Sequence, residues 1–492
     1  MSKKISIIGS GFAGLSAASC LADQGFDVQV FEKNSLPGGR ARYFEAEGFR
    51  FDMGPSWYWM PDVFERYFKQ FGHSPRDFYE LVRLNPSYRV WYGDKEVMDI
   101  PAEMEGVYEL FESVEKGAAD QLKRFMKEAA YKYQVGINDL VYKSGRSVWE
   151  FADIRVLKGV FRLHLFRSFS RYVRKYFRHP YLISLLEFPV LFLGAKPQQT
   201  PALYSLMNYA DMQLGTWYPM GGMHKVVEGM VQVAEKLGVR FHFDSEVEAI
   251  NIWKDRANEI LVNGQAIPSD IVVGGADYHH IEQRLLPEAH RQYSPKYWET
   301  RTMAPSCLLF FVGVNRPVRN LLHHNLFFDE SFDRHAEQIY DDPQWPNKPL
   351  FYVCAPSKTD PSVAPEGQEN LFLLVPVAPG LDDTEEQREL QWNRIMDRLE
   401  ALTGESIRPH IIYKRSYAHR DFISDYHAFR GNAYGLANTL RQTALLKPKM
   451  QSKKVKNLFY TGQLTVPGPG VPPALISGRV VADVIGKEFK RS

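Results

Sequence analysis

The first 32 residues constrain the fold more tightly than any other stretch of the chain. Ile5-Ser-Ile-Ile8 is a short apolar run that meets Gly9-Ser-Gly11-Phe-Ala-Gly14 without a spacer. A helix-forming run from Leu15 to Asp23 follows, Gly25 can end it, and Asp27 to Phe31 alternates as a second strand. Strand, glycine turn, helix and strand make one βαβ unit. In such a unit Gly9 makes the tight turn, Gly11 lets backbone approach a pyrophosphate, and Gly14 lets the helix pack on the strand. Unpaired N–H groups and the positive end of the helix dipole then face the phosphates. Glu32 closes the second strand, 18 residues after Gly14, where a carboxylate can accept hydrogen bonds from ribose hydroxyls. A plain structural βα turn would need no acid there, so the reading is a dinucleotide site.

The next residues select the dinucleotide. Leu36-Pro-Gly-Gly39-Arg40 follows the ribose acid directly, and an arginine beside flexible glycines can fold a bidentate guanidinium onto a pyrophosphate. A nicotinamide enzyme has no use for a second clamp so close. Phe51-Asp-Met-Gly-Pro-Ser56 supplies another tight turn through Gly54 and Pro55, and Gly462 after a late strand can bring backbone amides to the far end of a long cofactor. Together these pieces point to FAD.

At 492 residues the chain holds two to four domains. Lys+Arg 60 against Asp+Glu 58 leaves a net charge of +2, which excludes a nucleic-acid-coating protein and an acidic disordered one. Three well-separated cysteines, Cys20, Cys307 and Cys354, form no disulfide framework and suit a reducing compartment. The apolar N-terminal run stops at Gly9 with no cleavage site, and the greasiest stretch, Tyr181 to Ala195, is broken by Glu187 and Pro189. The expected location is cytoplasmic, with no spanning helix. From about 60 to 215 the pattern reads as helical and aromatic. A second α/β stretch runs from Tyr218 to Ala276, strands are expected at Leu308 to Val314 and Leu371 to Val377, and a last helix at Ala474 to Ile485.

Eight Lys/Arg residues and no acid lie between Arg155 and Arg178. A helical wheel puts Phe161, Leu165, Phe169, Tyr172, Val173 and Tyr176 on one side and Arg167, Arg171, Arg174 and Arg178 opposite. That pattern fits a helix lying in a membrane surface, its rings in the acyl boundary and its cations on anionic headgroups. The alternative is an amphipathic helix packed on a core. Trp57-Tyr-Trp59 and the abundant rings, 32 Phe, 26 Tyr and 9 Trp, can line an apolar tunnel or fill the core.

There is no G-x-S-x-G, H-E-x-x-H or P-loop pattern. His279-His280 and His323-His324 would point to opposite faces if on strands and lack a third ligand at useful spacing, so no metal site is expected. Flavin redox chemistry remains.

The glycine fingerprint with Glu32, Gly38-Gly39-Arg40, Phe51-Asp-Met-Gly-Pro-Ser56, Asp360-Pro-Ser-Val-Ala-Pro-Glu-Gly367 and Gly462…Pro467-Gly-Pro-Gly-Val-Pro-Pro473 together resemble the bacterial phytoene desaturase family of carotenoid enzymes. The likeness runs in order from about residue 4 to 486. It implies an α/β fold similar to the amine-oxidase and GDP-dissociation-inhibitor superfamily: a Rossmann-like FAD-binding domain from residues 1–60, 216–290 and 455–492, with an inserted mixed α+β substrate domain from 61–215 and 291–454. The substrate domain would include the basic, helical membrane-associating region at about 150–195.

Carried over by position, Gly9, Gly11, Gly14, Glu32, Gly39 and Arg40 would hold adenosine and phosphates. Val247 would pack near the adenine, and Gly462, Gly470 and Val471 would reach the flavin end. The implied activity is desaturation of phytoene toward lycopene, with quinone or oxygen reoxidising the flavin at a lipid surface. Another carotenoid oxidoreductase, such as a hydroxycarotenoid 3,4-desaturase or an isomerase, is the nearest alternative, and a non-catalytic isoprenoid-binding escort is the alternative from another class. Glu150 and Asp153 sit near where the family carries a proposed acidic residue. Asp153 is therefore the candidate base, although both acids can equally complement a helix dipole.

Overall fold

The structure, a computed structural model, describes residues 2–93, 96–144, 167–439, 442–443 and 446–489. Its first sheet is parallel throughout and draws its strands from three distant parts of the chain. β1 (Lys4–Ile8) lies at the centre, joined through α1 (Phe12–Asp23) to β2 (Asp27–Phe31), and Arg240–His242 extends the sheet beyond β2. On the other side of β1 come Ile271–Gly274 and then Leu458–Tyr460. Gly25 carries φ +89° between α1 and β2, a conformation that costs glycine least. A three-stranded antiparallel meander, Val247–Trp253, Arg256–Val262 and Gln265–Pro268, is inserted before the fourth strand.

The C-terminal helix, Val471–Phe489, packs along α1 and seals the sheet. Gly478 allows the approach: a Cβ there would meet the Ala13 carbonyl oxygen at 2.3 Å. His224–Lys236 flanks α1 as well, and its first turn is held by Asp52, whose carboxylate accepts from the Met223 and His224 amides at 2.7 and 3.2 Å.

The second sheet has seven strands in the order Ile411–Tyr417, Ser306–Val314, Glu369–Val377, Phe351–Cys354, His324–Phe328, Tyr88–Tyr92 and Val97–Ile100. All neighbours are antiparallel except the pair formed by Tyr88–Tyr92 and His324–Phe328. Ser306–Val314 is buried along its whole length because both faces are covered, which is why it reads as an unbroken apolar run. Leu308, Phe310 and Val312 meet Trp392, Ile395 and Leu399 of the Glu385–Thr403 helix. Cys307 and Leu309 point the other way, into a cavity.

Two expectations change. The 60–215 stretch is not only helical, since Tyr88–Tyr92 and Val97–Ile100 leave it to join the second sheet. The basic stretch is not a continuous lipid-facing helix over its described part. Its helix spans Phe169–Val173 only, and Phe169, Tyr172, Val173 and Phe177 are sealed in the protein core. The rings are therefore spent on protein packing, while Arg167, Arg171, Arg174, Lys175 and Arg178 stay exposed. Residues 145–166, with Glu150, Asp153, Phe161 and Leu165, lie outside the described residues.

Candidate active site

The glycine turn is built by steric need. Gly9 has φ +95° and its amide donates to the Phe31 carbonyl at 2.8 Å, tying the turn to the end of β2. A Cβ on Gly14 would stand 2.0 Å from the Gly9 carbonyl oxygen, so the helix can leave the turn at this angle only with glycine there. At Gly11 the situation reverses: a Cβ would meet nothing within 4 Å. That open space is the concave floor of a cradle, and no side chain caps the α1 N-terminus that looks into it. Both features suit a pyrophosphate.

Glu32 stands at the rim with only its edge exposed, at 5 %. One carboxylate oxygen accepts from the Ser10 amide and hydroxyl at 2.9 and 2.8 Å, the other from the Asn34 amide and side chain at 3.0 and 2.8 Å. Four donors fix the carboxylate in one orientation, leaving lone pairs for a diol. The Gly38 amide donates to the Ser10 carbonyl at 2.9 Å, which folds Gly39 to within contact of Gly11 and places Arg40 over the cradle. Arg40 donates to the Asn432 carbonyl at 3.1 Å and stacks on the Tyr426 ring at 5.1 Å, yet its Nε is buried with no partner. Burial presses its pKa below the ordinary value while the Asp277 carboxylate opposes that shift. An orphaned guanidinium N–H above a phosphate-shaped cradle fits the pyrophosphate of FAD.

Gly9, Gly11, Glu32, Gly39, Arg40, Gly54, Pro55, Val247, Gly462, Gly470 and Val471 all line one cavity of about 410 Å³. Gly14 does not line it; it acts through the packing just described. At the nucleotide end the sequence reading missed Lys33, His280, Asp277 and His427. His280 stacks on His427 at 3.9 Å, and His427 Nε2 lies 2.7 Å from Glu246 and 3.2 Å from Lys33. Burial, reinforced by His427, depresses His280 to about 3, so its ring is neutral. Asp277, three residues after the Ile271–Gly274 strand, is the one of these that a strand-end acid could have flagged.

At the other end Gly470 (φ +107°) starts the Val471–Phe489 helix, whose first turn also faces the cavity. Beyond it the lining turns apolar. Trp57 and Trp59 enter it, while Tyr58 between them turns away and bonds the Tyr79 hydroxyl at 2.9 Å. Cys307, Leu309, Leu326, Tyr352 and Leu374 form one wall from a single sheet face. Phe332, His335, Ala336 and Ile339 of the Phe332–Tyr340 helix form another. Their i, i+3, i+4, i+7 spacing was readable in the sequence but not used. His335 is held neutral, at about 4, by burial; its ring nitrogens engage the Pro376 carbonyl and the Leu350 amide.

The lining acids Glu32, Glu246, Asp277 and Asp425 all cluster around Lys33, Arg40, Arg42 and His427 at the nucleotide end. Among the described residues the apolar half presents no carboxylate to the cavity. The site therefore offers a polar groove for a long dinucleotide joined to a hydrophobic chamber, the setting in which a cofactor acts on an apolar substrate.

The placement of the two histidine pairs differs from the one expected. His279 and His280 lie in a helical turn rather than a strand, and His323 precedes the strand that His324 opens. The two rings of the second pair lie 4.4 Å apart, and Cys354 brings a third donor to them.

A family model for flavin containing amine oxidoreductases matches residues 12–486. A carotenoid 3,4-desaturase from Haloarcula japonica is 43% identical over 482 residues, covering 98% of this chain and 97% of its own. A zeta-carotene-forming phytoene desaturase from Myxococcus xanthus is 32% identical over 486 residues, covering 98% and 93%. The crystal structure of an oxidoreductase from Methanosarcina mazei shares the fold at a TM-score of 0.63 and 16% identity, over 98% of this chain and 100% of that one. The chain thus belongs to the flavin-containing amine oxidoreductases and, within them, to the carotenoid desaturases. It is an FAD-dependent oxidoreductase.

Proposed function

We propose that the enzyme desaturates a carotenoid bound in the apolar chamber. The observation that carries this reading is continuity: the glycine-lined cradle and the Trp57, Leu309, Leu326 and Phe332 chamber are parts of one cavity. Gly9, Gly11, Glu32, Gly39 and Arg40 would hold the adenosine diphosphate half of FAD, with Val247 against the adenine. Gly54, Pro55, Gly462, Gly470 and Val471 would border the ring system. When bound, FAD supplies the two-electron sink that accepts hydride from an allylic carbon.

The chain's own part is to exclude water, align the polyene and stabilise the cationic charge that grows as hydride leaves. Trp57, Trp59 and Phe188 line that chamber, and aromatic rings attract such charge. A proton must then leave the neighbouring carbon so that the double bond closes. Asp153 is our proposed acceptor; Asp153→Asn with FAD bound and full turnover would remove it from the role. A quinone or oxygen would reoxidise the cofactor.

Two bond choices are open to such an enzyme. Desaturation of the terminal 3,4 bond is favoured by the relative at 43% identity, and the phytoene-to-lycopene reading by the one at 32%. We take the terminal 3,4 bond as the first reading. Purified FAD-loaded enzyme offered either phytoene or a conjugated carotenoid saturated at C3–C4 decides by pigment chromatography. Extension of the chromophore by one double bond in the second substrate alone supports the 3,4 reading; stepwise conversion of phytoene overturns it.

A further inference from the structure

Behind the Trp57 and Tyr352 wall of the chamber, three side chains converge that the desaturase reading leaves unused. His324 opens the His324–Phe328 strand and stands in register with Cys354, the last residue of Phe351–Cys354. Residues paired across antiparallel strands share a sheet face. His323 precedes them, its ring at 68° to that of His324. All three side chains are buried, and one donor atom from each lies within 4.8 Å of the other two.

The imidazoles are set up alike. His323 Nδ1 is 2.7 Å from the Thr359 hydroxyl, and His324 Nδ1 is 2.6 Å from the Tyr352 hydroxyl. In both rings Nε2 is buried with no hydrogen-bond partner. Buried polar atoms are almost always satisfied, so two adjacent orphans call for a ligand. Where such a ring gives its Nδ1–H to the neighbouring oxygen, Nε2 keeps a lone pair free for a metal, the tautomer that metal-ligating histidines commonly use.

We infer that His323, His324 and Cys354 bind a borderline-soft divalent cation of the zinc class. Two metal–nitrogen bonds and one metal–sulfur bond form, the thiol S–H breaks, and its proton goes to solvent. A cation that takes the thiolate must itself drive that proton off. The remaining positive charge faces the Asp360 and Asp52 carboxylates, whose fields reach His323 and Cys354 respectively. With bonds of about 2.0–2.3 Å, ligand atoms stand roughly 3.3–3.9 Å apart. Side-chain rotation of about 1 Å closes the present spacing. The ion would do no redox chemistry; Trp57 stacks on the His324 ring at 4.1 Å and 11°, so loading would stiffen the chamber wall.

The test uses FAD-loaded enzyme from zinc-replete medium, dialysed against a weak chelator. Elemental analysis should give one zinc per bound flavin. Cys354→Ala and His323→Ala, checked for folding by their flavin absorbance, should weaken zinc at least about 100-fold in chelator competition. Cobalt(II) loading should add d–d bands in the red, where oxidised flavin does not absorb, and these should vanish in Cys354→Ala. Only trace metal in flavin-replete wild type, with no cobalt bands, overturns the site. Zinc held as tightly by Cys354→Ala and His323→Ala as by wild type overturns it too.

Discussion

Gly478 and Ala13 hold α1 and the Val471–Phe489 helix together at backbone contact, with 2.3 Å from a Cβ at 478 to the Ala13 carbonyl oxygen and 2.7 Å to the Ala17 amide nitrogen. Alanine in place of a helical glycine gains about 1 kcal/mol of helix propensity. Overpacking against backbone on both sides costs more, about 1–3 kcal/mol or above. Gly478→Ala is therefore expected to lower the thermal midpoint by several degrees and the ratio of flavin to protein absorbance. An unchanged melting curve would show that the helices can separate freely.

The four hydrogen bonds received by Glu32 make it the most constrained acid at the cradle. Glu32→Ala leaves the Ser10 amide without its acceptor and takes a diol acceptor away. The expected loss is about 1–3 kcal/mol of FAD affinity, roughly 5- to 150-fold. Fluorescence titration of apoprotein with FAD measures it, and wild-type affinity in the variant would refute the assignment.

Asp211 gives a pH signature. It accepts from the Tyr88 hydroxyl at 2.7 Å in a sealed site, and burial pushes its carboxyl up to about 7, against that hydrogen bond. A folded-state pKa raised above the unfolded value of 3.8 means that its contribution is fully present below that value and is lost as pH rises toward 7. Asp211→Asn cannot ionise and keeps an oxygen for Tyr88. Its thermal midpoint relative to wild type should climb between about pH 4 and pH 7; a flat difference would place the carboxyl elsewhere on the scale.

The exposed cations bear on lipid contact. Arg174 pairs with buried Glu187 and should be left intact. Arg171, Lys175 and Arg178 are exposed, and each can contribute about 1 kcal/mol at an anionic surface. Their triple replacement by Gln is expected to weaken co-sedimentation with anionic liposomes by about 100-fold in low salt. Equal sedimentation by variant and wild type would remove these cations from any role in lipid contact.

Much of the cradle was legible because its causes are local. A turn, a helix start and a strand-end acid sit within 32 residues, and Gly9, Gly11 and Glu32 all line one cavity. The chamber was less legible. Arg89 pairs with Asn325, and nothing near either residue announces a partner that distant. His324 and Cys354 meet for the same reason, through ladder register. The helical wheel of Phe169, Tyr172 and Val173 identified an apolar side correctly but could not say what covers it, and the protein core does.

The sheet that carries the glycine turn takes its outermost strand from Leu458–Tyr460 and its closing helix from Val471–Phe489. During synthesis, the turn made from residues 9–14 must wait for more than four hundred further residues before its roof arrives. The groove is thus completed only at the end of synthesis, and a ribosome stalled short of that strand releases a chain whose groove lacks one wall.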